Sequence, residues 1–187
     1  MPRTEYINQY LQKLHSGLAM LDVVTLGKII DLLSEARDKK QQVFVLGNGG
    51  SSATASHFVN DLNKMASSDE LGYFKAISLA DNMPLITAWA NDTSYENVFS
   101  MQMRNLQQKD DVLVVISASG NSPNVIKAIA DAKKAGLVTL GLLGFDGGKA
   151  KALLDHSVTF PEFHYGRAED AHHICCHIIA TNLSIKE

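Results

Sequence analysis

The sequence predicts an α/β fold in which helices cover a parallel sheet, and three observations carry that expectation. Apolar, β-rich runs alternate with helical patterns along most of the chain. The run Asp111–Ser117 (DVLVVIS) is apolar throughout its middle, as a strand covered on both faces should be. No internal repeat, low-complexity tract or long linker interrupts the alternation. Repeated strand-then-helix units need right-handed crossovers, which make the strands parallel and put the helices on the faces.

Each element follows from local pattern. Ile7, Tyr10, Leu11, Leu14, Leu18 and Leu21 recur at helical spacing, as do Leu26, Ile29, Ile30 and Leu33, so residues 1–40 hold two amphipathic helices. VFVLGNGG (43–50) is a β-branched strand ending in glycine, and a helix from Ser52 to Met65 follows. Met65 to Tyr73 is polar and aperiodic and reads as a loop. Lys75 to Leu79 forms a second strand, with helices at Pro84 to Ala90 and Tyr95 to Gln107. After the third strand, Asp111 to Ser117, the pair Ser122-Pro123 sets an N-cap and a first helical proline, starting a helix that stops at Gly136. Val138 to Leu143 and Ser157 to Phe160 are the fourth and fifth strands, and Arg167 to Ile185 is the closing helix.

Bulk properties narrow the class. A chain of 187 residues with 45% hydrophobic composition can bury its core without disulfides or structural metal, and residues 1–187 read as a single domain. The net charge of −3 and the lack of a basic stretch exclude nucleic acid as the main ligand. The start MPRTEYINQY lacks the apolar centre of a signal peptide, and no run of about 18 apolar residues could span a bilayer. The expected location is the cytoplasm, with no membrane association. The only cysteines, Cys175 and Cys176, are neighbours on a helical pattern; they point apart and read as core thiols.

Two loops carry the first chemical signal. Gly47-Asn48-Gly49-Gly50-Ser51-Ser52 and Ser117-Ala118-Ser119-Gly120-Asn121-Ser122 each leave a strand and open a helix. A helix N-terminus has unpaired N–H groups and partial positive charge, and small residues let a phosphate reach that backbone. A single such loop can be a conformational device, and Ser122 alone reads as a helix cap. Two loops, the second with three serines, point to a phosphate. Neither spells G-x-G-x-x-G and no acidic residue follows the second strand as a ribose contact, which sets a dinucleotide aside.

The second signal is acid–base chemistry. His57 and Asp61 are four residues apart on the helix after the first loop, so they lie about 40° apart around it and share a face. Glu169, His173 and His177 are spaced by fours on the closing helix. The roles of His172 and His173 stay open, and His156 and His164 receive none.

Taken together, VLGNGGS, His57-Phe58 with Asp61 after it, AWANDTSYENVF, ISASGNSPNV, GFDGGK and a closing helix with histidines resemble the sugar isomerase (SIS) family, in its phosphoheptose isomerase branch. The resemblance spans nearly the whole chain. It implies a three-layer α/β/α sandwich with a five-stranded parallel sheet, preceded by N-terminal helices and assembled as a homotetramer with active sites at subunit interfaces. It further implies phosphate contacts at Ser117, Ser119 and Ser122, substrate contacts at Asn48, Gly49, Ser51 and Glu169, and Asp92 facing the sugar. Asp61 would be the base acting on carbon and His177 the acid acting on oxygen or ring opening. Zinc would be held by His57, Asp61, Glu169 and His177, a nitrogen and oxygen set that zinc accepts.

The chain departs from the family pattern in three places. Asp61 replaces the usual glutamate, shortening the reach by about 1.5 Å. Glu169 replaces the usual glutamine and adds a negative charge. Met65, beside Lys64, stands where the family has an arginine. The resemblance therefore implies an aldose–ketose isomerase of a sugar phosphate, with sedoheptulose 7-phosphate and D-glycero-D-manno-heptose 7-phosphate as the expected pair. The alternative readings are an isomerase of a different sugar phosphate, and a non-catalytic SIS protein that binds sugar phosphate or serves as an interaction platform, as in replication-initiator-associating proteins.

Overall fold

Five strands, β1 (Gln42–Leu46), β2 (Lys75–Ser78), β3 (Val112–Ser117), β4 (Val138–Gly144) and β5 (His156–Phe160), form one sheet in the order β2-β1-β3-β4-β5, and every pairing is parallel. The structure is a computed structural model and describes residues 1–186. Side-chain alternation sorts the strands between two apolar layers. Val43, Val45, Val112, Val114, Ile116, Leu140, Leu142 and Val158 pack with α2 (Val23–Asp38), α3 (Gly50–Lys64) and α8 (Tyr165–Leu183). Phe44, Leu46, Leu113, Val115 and Leu143 face the opposite layer, formed by α4 (Met83–Asp92), α5 (Ser100–Arg104), α6 (Pro123–Ala135) and α7 (Gly148–Leu153). The expected three-layer sandwich is therefore present, with α1 (Arg3–Leu18) lying outside it against α8.

The strand order places the site. From β1 the chain moves to β2 on one side of β1 and returns to β3 on the other, so the topology switches between β1 and β3. At such a point the loops beyond the carboxyl ends diverge and leave a crevice. Both glycine- and serine-rich loops leave these two strands, with Leu46 beside Val115 in register.

Where the structure departs from the sequence reading, burial or chain length explains it. The expected helix Tyr95–Gln107 is broken into a 3-10 turn at Tyr95–Asn97 and the short α5, with the buried Val98 and Phe99 between them. The sequence reading missed α7, whose six residues begin with glycine and show no apolar period. Several ends shift by a few residues: α1 begins at Arg3, α3 at Gly50, and α8 runs from Tyr165 to Leu183. The loop after α3 is tied down by Ser67, whose hydroxyl accepts from the Phe74 N–H at 2.9 Å, and by a bridge between Ser68 and Gly72. Cys175 and Cys176 are free and buried, as expected, and burial lifts the Cys175 thiol to about 11.

His172 is 2% exposed on α8, and neither ring nitrogen has a hydrogen-bond partner. Burial depresses its pKa to about 4, against a weak opposing pull from the Leu143 backbone. The unfolded chain protonates this imidazole near pH 6.5, whereas the folded one stays neutral down to about 4. Between those values the unfolded state binds more protons, so stability falls as pH falls. At pH 5 the loss from this residue should be about 2 kcal/mol relative to pH 8. Urea unfolding of His172→Leu at the two pH values should show that loss removed, and an unchanged pH dependence would exonerate His172.

Candidate functional site

Asn48 joins the two loops. Its side-chain amide donates to Asn124 Oδ1 at 2.9 Å, and the Asn124 amide donates back to Asn48 Oδ1 at 2.9 Å. Asn124 lies in the first turn of α6 and is 2% exposed, so the pair is sheltered from competing water. Tyr95 adds its hydroxyl to Asn48 Oδ1 at 3.2 Å and brings in the segment after α4. Asp92 ends that helix, exposed, with its carboxylate accepting from Asn91 at 2.8 Å. The sequence reading assigned no role to Asn124 or Tyr95; both lie inside the quoted motifs, but only their contact with Asn48 reveals what they do.

In the second loop the serines divide their work. Ser117 Oγ accepts from the Gly120 N–H at 3.0 Å, and Ser119 Oγ accepts from the Asn121 N–H at 3.3 Å. Ser122 occupies the N-cap position of α6 but makes no side-chain cap bond, so its hydroxyl is not used by the helix. Ser122 is thus the N-cap by position, as expected, and with Pro123 opening the helix its side chain makes no cap bond. The GFDGGK segment lies on this loop. Ala150 N–H donates to Gly120 O at 2.9 Å, Lys149 N–H donates to Asn121 Oδ1 at 3.1 Å, and a Cβ on Gly120 would overlap the Gly147 carbonyl.

The acid–base groups meet where α3 packs on α8. His57 Nε2 lies 3.3 Å from Asp61 Oδ2, and His177 Nε2 lies 3.8 Å from the same oxygen and 3.3 Å from His57 Nε2. Asp61 is 8% exposed, and its Oδ2 is buried without a hydrogen-bond partner. Separation and alignment thus disagree: the imidazoles approach within ion-pair range, yet neither aims an N–H at the carboxylate. Two imidazole nitrogens, 3.3 Å apart and able to share a proton, converge with a buried and unpartnered carboxylate oxygen, and this donor set suits a cation that displaces that proton. Ligands 2.0–2.1 Å from a tetrahedral zinc stand about 3.3 Å apart, close to these separations. His173, left open in the sequence, joins the group: the ligand atoms of His57, His173 and His177 all lie within 4.8 Å of one another. Burial holds the His173 pKa below the ordinary value, and the charges of His57 and His177 lower it further.

Glu169 sits one turn earlier on α8. Its carboxylate lies over Gly50 in the first turn of α3; a Cβ there would stand 2.5 Å from both oxygens, so a side chain at this position would displace the carboxylate. Glu169, Gly50, Thr54, His173 and His177 line one cavity of about 520 Å³. A cavity of about 600 Å³ against β2 is larger, but Asp81 is the only titratable side chain in its lining. Chemistry favours the first. His164, which had no assigned role, caps α8, its Nδ1 accepting from the Arg167 N–H at 3.3 Å.

The SIS domain family matches residues 5–144. The chain is 41% identical over 150 residues to the phosphoheptose isomerase of Helicobacter pylori, spanning 80% of this chain and 78% of that protein. It is 33% identical over 187 residues to the phosphoheptose isomerase of Geotalea daltonii, spanning 95% and 97%. Phosphoheptose isomerase GmhA from Neisseria gonorrhoeae has the same fold, with a TM-score of 0.87 at 28% identity over 96% of this chain and 95% of that one.

The contact between the second loop and the GFDGGK segment gives a direct test. Gly120 has φ +60° and no space for a side chain. Gly120→Ala should cost about 1–3 kcal/mol from the left-handed backbone alone, and more from the overlap. Chemical denaturation reads that cost, and a variant as stable as the parent would disprove the close approach.

Proposed function

The chain belongs to the SIS domain family and, within it, to the phosphoheptose isomerases, and from that premise we propose that it interconverts sedoheptulose 7-phosphate and D-glycero-D-manno-heptose 7-phosphate. The observation that carries this reading is the meeting of His57, Asp61 and His177 beside a cavity that reaches the first glycine loop. The phosphate is assigned to the hydroxyls of Ser117, Ser119 and Ser122 and to the N-terminal turns of α3 and α6, where free N–H groups favour an anion. Asn48, Gly49, Ser51 and Asp92 face the sugar. Glu169 accepts from its hydroxyls.

Isomerisation moves a proton between adjacent carbons and redistributes protons between their oxygens. Asp61 takes the proton from the carbon beside the carbonyl and returns it to the neighbouring carbon, while His177 gives and takes protons at oxygen. His57 holds Asp61 and His177 together from the middle of α3. Zinc is the proposed ion for this donor set, with His57, Asp61 and His177 as ligands; the resemblance alone gives Glu169 the fourth place. Bound there, zinc would polarise a sugar oxygen as a Lewis acid.

Two surfaces support a homotetramer: Tyr6, Ile7 and Leu11 on α1 are exposed, as is Ile178 beside His177 on α8. An intracellular metabolite as substrate and two free thiols fit the cytoplasm. Among the described residues, no helix is long and apolar enough to cross a membrane.

Turnover decides the central claim. The purified protein incubated with sedoheptulose 7-phosphate should form the aldose isomer, followed by NMR; absence of product with this and every other ketose phosphate tested would end the enzyme reading. His177→Ala should lower kcat by about 10²–10⁴-fold with a smaller change in KM. Replacing Ser119 and Ser122 together by alanine should weaken substrate binding by about 1.5–3 kcal/mol for each hydrogen bond lost to the charged phosphate. Calorimetry giving the parent affinity would place the phosphate elsewhere.

A further inference from the structure

We propose that His173, and not Glu169, completes the metal set with His57, Asp61 and His177. The inference rests on the metal-binding part of the proposed function and is independent of which sugar is turned over. His173 precedes His177 by four residues on α8, so both rings project from the same face of that helix toward α3. Its ring stands edge-on to both partners, with centroids 4.5 Å from His57 and 4.7 Å from His177. The ligand atoms of the three imidazoles form one group. Asp61 Oδ2, buried and unpartnered, lies against two of them and supplies the negative charge.

Glu169 is placed differently. It begins the same series a further turn back, about 6 Å along the helix axis from His173. There its carboxylate is pressed against Gly50, in the first turn of α3, where the helix dipole favours an anion. Leaving that position would forfeit the dipole and bring a second carboxylate toward Asp61. An imidazole, with a ring-nitrogen lone pair to give, completes the set without that repulsion. Three histidines and one carboxylate form a nitrogen and oxygen set that suits zinc. Glu169 is then left to hold sugar hydroxyls from the loop side of the cavity.

The test uses the full chain freed of metal by a chelator and then titrated with Zn²⁺ alone against a competing indicator. Cobalt substitution reports the ligand field by visible absorption, and circular dichroism reports the fold. The parent should bind one ion per chain. His173→Gln should weaken binding at least about tenfold, because losing a direct ligand should cost no less than losing an outer partner, and it should shift the cobalt bands. Glu169→Ala should leave both the affinity and the bands as in the parent. The proposal is overturned if Glu169→Ala alone weakens binding, if both variants weaken it equally, or if the parent binds no ion. Turnover of sedoheptulose 7-phosphate by the parent is scored separately, so failure of the ligand assignment and failure of the isomerase reading produce different results.

Discussion

Phe58 and Leu62 on α3 and Cys175, Cys176 and Ile179 on α8 are withdrawn from water in one apolar cluster, and their burial fixes how the two helices are rotated about their axes. Each large side chain contributes about 1.5–3 kcal/mol when buried, far more than the polar contacts beside it. Rotation is what the chemistry needs. With these residues turned inward, His57 and Asp61 are carried round to one edge of α3, and His173 and His177 to the facing edge of α8. The acid–base cluster is thus held by apolar packing, which explains how an Asp61 oxygen can be buried with no hydrogen bond of its own.

A second constraint is polar. The reciprocal amide pair of Asn48 and Asn124 holds the first loop against α6, while the Gly120 and Gly147 backbones touch on the other side of the second loop. Helix packing sets the position of the histidines and Asp61, and the amide pair sets the position of the loops. Glu169 lies where the two systems meet, on α8 but in contact with Gly50 of the first loop.

Much of this arrangement is legible in the sequence. The apolar runs mark β1, β3 and β4 because strands buried on both faces leave no room for polar residues. Ser122-Pro123 and Gly136 bracket α6 closely, since each has a specific backbone consequence. The break after Tyr95 was hidden because Val98 and Phe99 satisfy a helical period as well as they fill the core. Spacing alone showed that Glu169, His173 and His177 share a face, but it could not show that this face turns toward α3. His57 and His177 are 120 residues apart, and only the resemblance or the fold can bring such a pair together. Asn124 went unassigned because an asparagine in a helix's first turn looks like local capping until its partner is known.

The glycine- and serine-rich loops contain no lysine or arginine. An anion seated between them is held by dipoles at contact distance, and the chain around it carries a net charge of −3. Dissolved salt screens interactions that reach across several ångströms of water and has little hold on N–H and O–H donors already touching their acceptor. Such a site gains no long-range attraction for a phosphorylated sugar and loses little when the ionic strength rises. With a sugar phosphate seated there as proposed, occupancy would follow the concentration of the metabolite and stay nearly indifferent to the salt around it.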